Sequence, residues 1–349
     1  MLSQTPDIKS LCILRLSAIG DVCHAVAMVQ QIQKQYPDIH ITWVIGKVEY
    51  LLLKNLPGVE FIVFDKSAGW KGYKALKEQM RDKYFDVLLH MQVALRASIA
   101  SVFIPAKVKV GFDKRRAKEG QWLFTNKKIA PQTSAHVLDG FLGFAQAIGV
   151  APQAPTWLMP FGEDDRTWVK EQINNAQPYV VISAAASKAE RNWHVEGYAK
   201  AAQYCTQKGF QVILCGGPTE LEKSLAENII KQCPSTLHNL VGKTSLKQLL
   251  AVLEHASFVI APDTGPAHMA VTVNTPVIGL YAHSNPQRTG PYTSLQHVVS
   301  VYEQSIKAQT GKSAEQLSWG TRAKGELMHQ ITFEMVQQKI DNLILQLNR

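Results

Sequence analysis

Phe258-Val-Ile-Ala-Pro-Asp-Thr-Gly-Pro-Ala-His-Met-Ala-Val271 sets the reading of the whole chain. A short apolar run enters Pro262, the turn Asp263-Thr264-Gly265-Pro266 follows, and an apolar-periodic segment starts at Ala267. The pattern predicts a buried strand, a tight turn and a helix start, with Asp263 or Thr264 at the cap and Pro266 in the first turn. Free amides at such a helix start, together with the helix dipole, attract phosphate. Taken alone, the same residues also fit a bare capping motif with His268 as a satisfied surface histidine.

Outward from this stretch, strands and helices alternate. In the second half Tyr179–Ser183, Phe210–Cys215, Phe258–Ala261 and Pro276–Leu280 read as strands. Helices are expected at His194–Lys208, Pro218–Lys231, Ser245–His255 and Ala267–Val273. The first half repeats the alternation: strands at Leu11–Leu16, Ile39–Ile45, Val59–Phe64, Phe85–His90 and Val108–Phe112, with helices between them and a last one at Val137–Ile148. The first helix is expected over Val22–Tyr36. Such alternation means βαβ units on parallel sheets. The proline-bearing stretch Gly149–Pro178 reads as a linker with a short helix near Asp164–Asn174. The expected organisation is α/β: two Rossmann-like domains facing across a cleft. They span 1–160 and 179–330, with a linker at 161–178 and a C-terminal helix within 331–349. Residues 303–330 show no clear period. Ligands are expected in the loops at the carboxyl ends of the strands.

Composition sets bounds. The 349 residues are 46% hydrophobic and 19% charged, as in a soluble globular protein. The opening Met-Leu-Ser-Gln-Thr-Pro-Asp lacks the basic and apolar regions of a secretory signal, and Val87–Ala106 is too interrupted to span a membrane. Cys12, Cys23, Cys205, Cys215 and Cys233 have no zinc or redox spacing and read as reduced core thiols of a cytoplasmic protein. The net charge of +9 is lopsided: residues 1–150 hold 20 Lys+Arg against 12 Asp+Glu, and the remainder 17 against 16. A basic first half suits an acidic partner, and no nucleic-acid-binding signature accompanies it. Neither half carries G-x-G-x-x-G, which argues against a dinucleotide dehydrogenase.

Several motifs stand at strand ends. They are Arg15-Leu-Ser-Ala-Ile-Gly-Asp21-Val, Ser187-Lys-Ala-Glu-Arg-Asn-Trp193, Gly216-Gly-Pro-Thr-Glu220, Gly242-Lys-Thr-Ser-Leu and Ala261-Pro-Asp-Thr-Gly-Pro-Ala-His268. Together, over residues 11 to 285, they resemble the ADP-heptose:lipopolysaccharide heptosyltransferases. The resemblance implies a GT-B fold and inverting, metal-independent transfer of heptose from ADP-heptose to the lipopolysaccharide inner core or Kdo-lipid A. No bound cofactor is implied, and the place is the cytoplasm, peripheral to the inner membrane.

Position by position, the resemblance makes Asp21 the general base and Glu220 an acceptor of hydrogen bonds from the donor's ribose. It makes Asp263, Thr264, Gly265 and His268 the loop that holds donor phosphates and sugar. Arg191 stands where relatives usually carry lysine, a chemical change because guanidinium is a planar fork; Lys188 is the alternative phosphate partner. Gln92 and Arg96 match acceptor-side polar positions, and Ala-His-Ser-Asn after Tyr281 departs from the family's glycine-rich form. The uneven charge adds Lys114, Arg115, Arg116 and Lys118 as acceptor-binding residues. On their own residues, Asp21 also reads as an N-cap, Glu220 as a first-turn dipole partner, and Arg191 as a surface cation packed beside Trp193. No Asp-x-Asp pair suits a hard cation, so helix amides and Arg191 would carry the leaving group's charge. The other readings are a related transferase for another nucleotide sugar, a non-catalytic nucleotide- or lipopolysaccharide-binding relative, and an adaptor supported by net charge alone.

Overall fold

The computed structural model describes residues 8–173 and 177–347. The opening heptapeptide, the expected helix end at Asn174 and the last two residues lie outside them. The chain divides into two compact units, residues 1–160 and 161–349. Unit one holds β1 (Ser10–Leu14), β2 (His40–Gly46), β3 (Val59–Phe64), β4 (Phe85–His90), β5 (Ala106–Gly111) and β6 (Lys127–Lys128). All pair in parallel, in the order β3-β2-β1-β4-β5-β6. Unit two holds β7 (Tyr179–Ile182), β8 (Gln211–Leu214), β9 (His238–Asn239), β10 (Val259–Pro262), β11 (Val277–Tyr281) and β12 (Val299–Ser300). They too are parallel, in the order β12-β11-β10-β7-β8-β9.

The central strands are apolar without alternation because helices bury both their faces. Every residue of β7, β10 and β11 is buried, and so is all of β1 after its first residue. Each sheet has one place where the strand order reverses, between β1 and β4 in unit one and between β7 and β10 in unit two. Loops from the two neighbouring strands leave in opposite directions there and open a crevice at their carboxyl ends. Gly46 keeps the first crevice tight: its N–H donates to Leu16 O at 3.0 Å. A Cβ at that glycine would stand 2.3 Å from the same oxygen.

Several elements differ from expectation. The first helix runs Ile19–Gln35, one turn earlier than Val22. Within the expected linker, the helix Glu163–Gln172 belongs to unit two, where Arg166 grips Glu254 through two bonds of 2.7 and 2.8 Å. In the segment without a period, Tyr302–Thr310 is helical, and Tyr302 Oη donates to Thr321 O at 2.9 Å. The last helix, Phe333–Leu347, buries Val336, Ile340 and Leu343, three or four residues apart, and is pinned by the Tyr204 hydroxyl on Asp341 at 2.6 Å. All five cysteines are buried and free. No described helix is long and apolar enough to cross a membrane.

Candidate active site

At the β1/β4 crevice, Arg15 leaves the end of β1 and Asp21 sits in the first turn of the helix Ile19–Gln35. Ala18 holds the cap position, so Asp21 is the third helical residue and not the N-cap. Its Oδ2 accepts the Ala18 N–H at 3.1 Å, the N3 half of a capping box, and pairs with the Arg15 guanidinium. Both contacts fall on Oδ2, and among the described residues Oδ1 makes no hydrogen bond or ion pair. Arg15 is fixed by a 2.5 Å bond to Met91 O, beyond β4, and lies 5.1 Å over the Phe141 ring.

Gln92 stands across the same crevice, but its side chain faces inward. Its Oε1 accepts the Leu16 N–H at 2.7 Å, and its Nε2 reaches Ser17 Oγ at 3.4 Å. In this structure the Gln92 amide holds the loop that carries Arg15 and Asp21. Behind it lies Gln121, absent from the sequence reading. Its Nε2 donates to His90 O (2.8 Å) and Gln92 O (3.3 Å), and its Oε1 accepts Phe112 N–H (3.2 Å). His90 is fully buried, and that burial, with Lys109 nearby, pushes its imidazole down to about 4. Arg96 is exposed in the first turn of the helix Leu95–Val102. Burial holds the Lys66 ammonium below its ordinary value; Glu49 opposes this, and the nearby charges of Arg96 and Arg15 add to it.

The basic loop after β5 divides. Lys114, Arg115 and Lys118 are exposed. Arg116 is corrected: its buried guanidinium donates to the carbonyls of Ser134, Ala135 and His136 at 2.7 to 3.2 Å. It tethers the chain before the helix Val137–Ala147 and is not presented to a ligand.

At the β7/β10 crevice the helix Gly265–Thr272 starts directly after β10, with Thr264 as N-cap and Pro266 in the first turn. Thr264 makes no capping bond, and its Oγ1 is buried without a partner. Arg191 comes from the loop after β7. Its Nη1 donates to Asp263 O at 3.3 Å and stands 3.5 Å from Asp263 Oδ2, while Nη2 donates to Ser187 Oγ at 2.6 Å. Its Nε is buried and unpartnered. The side chain is only 12% exposed, which corrects the surface-cation alternative. Lys188 stays in solvent beside Glu190. Asp263 also accepts from Ser284 (2.8 Å) and Thr289 (3.3 Å), and His268 Nε2 lies 3.8 Å from its Oδ1. Burial would raise the Asp263 carboxyl, but His268, Ser284 and Arg191 outweigh it and hold the carboxyl below the ordinary carboxylate value. Ser284 and Thr289 were not foreseen; Ser284 lies in the Ala-His-Ser-Asn departure.

Glu220 opens the helix Glu220–Gln232, 90% exposed and 3.0 Å from Lys223. No contact ties it to the Asp263 loop among the described residues. Glu222 instead folds back, accepting Gly217 N–H at 2.7 Å and the Thr219 hydroxyl at 2.6 Å. It lines a small hollow with Ala184, Ala185, Gly216 and Val241, at the ends of β7 to β9. Among the described residues no three His, Cys, Asp or Glu side chains gather as a metal site. Chemically, the first crevice offers a carboxylate with a free oxygen. The second offers an uncapped helix start, a buried guanidinium and two unsatisfied polar atoms, a combination that suits a phosphate group.

A profile of the family described as Glycosyltransferase family 9 (heptosyltransferase) matches residues 73–318. The Haemophilus influenzae protein named lipopolysaccharide core heptosyltransferase OpsX is 48% identical over 329 residues, 94% of this chain and 95% of its own. A solved family 9 glycosyl transferase from Veillonella parvula superposes with a TM-score of 0.80 at 21% identity, covering 99% of both chains. Escherichia coli heptosyltransferase WaaC with ADP gives 0.73 at 21% identity, over 96% of this chain and 99% of its own. At such identities the two structures speak for the fold, and they bear out the GT-B expectation.

Proposed function

Because the chain belongs to glycosyltransferase family 9, the heptosyltransferases, we propose that it transfers heptose from ADP-heptose to the inner core of lipopolysaccharide, with inversion and without a metal ion. The observation that carries this reading is the pair of unsatisfied buried atoms, Arg191 Nε and Thr264 Oγ1, at the uncapped start of the helix Gly265–Thr272. Buried polar groups normally have partners, and a diphosphate would supply them here. Arg191 and the helix amides would then carry the charge that grows on the leaving ADP. The adenosine end would lie toward the strand ends beside Glu222, with Glu220 as the ribose partner.

In unit one, Asp21 Oδ1 accepts the proton of the attacking acceptor hydroxyl. The hydroxyl oxygen bonds the anomeric carbon while the bond from that carbon to the diphosphate oxygen breaks, and ADP leaves with the electron pair. One displacement from the opposite face inverts the centre. Arg15 fixes the carboxylate through Oδ2 and keeps Oδ1 free. The exposed cations Arg96, Lys114, Arg115 and Lys118 suit an acceptor rich in phosphate and Kdo carboxylates.

Mass spectrometry of truncated lipopolysaccharide after incubation with ADP-heptose tests the reading. A gain of one heptose is expected, undiminished by chelator. No gain, with the same acceptor modified by another nucleotide sugar, would replace the donor. A thermal shift with ADP and none with UDP is expected beside it.

A further inference from the structure

The edge of unit one that carries Asp21 also carries large apolar side chains left exposed. Trp70, after β3, is 69% exposed; Leu95, after β4, is 49%; Trp122 and Leu123, after β5, are 59% and 67%. They occupy one surface. Trp70 stacks on Tyr73 at 5.3 Å, and the Tyr73 hydroxyl donates to Arg96 O at 3.2 Å. The Leu95 N–H donates to Glu119 Oε2 at 2.6 Å, and Gln121 bonds Gln92 O. The loops after β3, β4 and β5 are thus stitched together at the carboxyl end of the sheet.

Exposed cations stand next to these side chains along the chain: Arg96 directly after Leu95, and Lys114, Arg115 and Lys118 just before Trp122. Single exposed leucines are ordinary, whereas two exposed tryptophans on three joined loops are not. Tryptophan partitions to the headgroup level of a bilayer, and lysine and arginine to its anionic lipids. Protein–protein interfaces, by contrast, are depleted of lysine, and Lys114 and Lys118 stand beside Trp122 in the chain. We propose that this edge of unit one seats on an anionic bilayer, its tryptophans and leucines entering the headgroup layer and its cations meeting lipid phosphates. The proposal rests on the lipid-linked acceptor of the reading above, since the same edge holds Asp21.

The test uses the full chain with phosphatidylcholine vesicles, with and without about a third phosphatidylglycerol. Sedimentation with the anionic vesicles alone is expected, weakening as salt rises. A W70S/W122S/L123S variant should partition about tenfold less or weaker, with an unchanged melting curve because the side chains are exposed; Trp122→Ser alone should fall part of the way. Transfer to an O-deacylated, water-soluble acceptor should stay at the wild-type rate in the variant, while transfer to the same acceptor embedded in vesicles slows. The docking surface is overturned if the wild type ignores anionic vesicles, if the triple variant still binds them, or if the substitutions only dissociate a dimer in sedimentation. Failure of the wild type to modify the soluble acceptor would count against the heptosyltransferase reading and leave the vesicle result standing.

Discussion

Each unit places an arginine–aspartate pair at the point where its strand order reverses, yet the two pairs are built differently. In unit one the arginine follows the first strand and the aspartate sits one helical turn further on; Asp21 is 28% exposed and contacted on one oxygen only. In unit two the aspartate follows β10 and the arginine reaches in from the neighbouring loop; Asp263 is 12% exposed, and its carboxylate meets Arg191, Ser284, Thr289 and His268. A carboxylate surrounded on both oxygens is a fixture that orients a cation and a helix start. A carboxylate held by one oxygen and wetted on the other is able to take a proton. Under the proposed function the same residue pair in the same topological place would serve chemistry in one unit and binding in the other, with partner number separating the roles.

The sharpest way to break this comparison is a matched pair of isosteric changes. Asp21→Asn keeps an acceptor for the Ala18 N–H but takes up no proton, so turnover with both substrates saturating should fall about 10²–10⁴-fold. Stability should stay within about 1 kcal/mol, because the lost ion pair is partly exposed. Turnover within a few-fold of wild type would move the base elsewhere. Asp263→Asn should act the other way, unfolding the protein more easily by about 3–5 kcal/mol, since it strands the buried Arg191 charge. Because the wild-type carboxyl is held below its unfolded value, its contribution is complete above about pH 4 and disappears as pH falls through the folded value. The gap between Asp263→Asn and wild type in urea melts should close on acidification; a gap independent of pH would show that packing, not charge, was lost.

How much of this difference was legible beforehand follows from what sequence encodes. The central strands are continuous apolar runs, and their bounds fell within two residues of expectation. The two-residue strands β6, β9 and β12 carry no pattern long enough to read. The helix Tyr302–Thr310 buries only Tyr302, Ser305 and Ile306, so its period was invisible. The family resemblance held because the Asp263–His268 turn and the Asp21 turn are local in sequence. Partners distant in the chain were not legible: Arg15 to Met91, Gln121 to Gln92, Ser284 to Asp263. Charge counting likewise gave the sign of Arg116 but not its inward direction, which follows from three carbonyls facing it near residue 135.

Acid distinguishes the two crevices more gently. His90, the last residue of β4, is kept neutral by burial, with its imidazole pushed down to about 4. Unfolded histidine titrates near 6.5, so between those values the unfolded chain binds the extra proton and stability falls as pH falls. The loss reaches up to about 3 kcal/mol, at no more than about 1.4 kcal/mol per pH unit. Unit two's Asp263 does not titrate in that window, its carboxyl being held lower. Protection of amides in β1 and β4, taken relative to the intrinsic exchange rate at each pH, should therefore fall between pH 6.5 and 4.5 before that in β7 and β10, and His90→Asn should flatten the pH slope of the melting curve. An unchanged slope in that variant would remove His90 from the account.

The smallest expected effect bears most directly on the second crevice. Thr264 occupies an N-cap position, where a hydroxyl ordinarily accepts a helix N–H and its loss weakens the protein by about 1 kcal/mol. Here the hydroxyl makes no such bond and is buried without a partner. Thr264→Val preserves shape and removes only that group. If the hydroxyl were a cap, stability would drop and ADP binding would stay; if it waits for a phosphate oxygen, the two outcomes exchange. Removal of an unsatisfied buried polar atom should leave the ligand-free protein as stable as before or slightly more so. ADP affinity should fall about 5- to 30-fold, the equivalent of about 1–2 kcal/mol for one lost hydrogen bond to a charged group. Calorimetry with ADP, beside a melt of the unliganded variant, reads both at once. A destabilised variant with wild-type affinity would return Thr264 to the helix and leave Arg191 as the residue still awaiting a ligand.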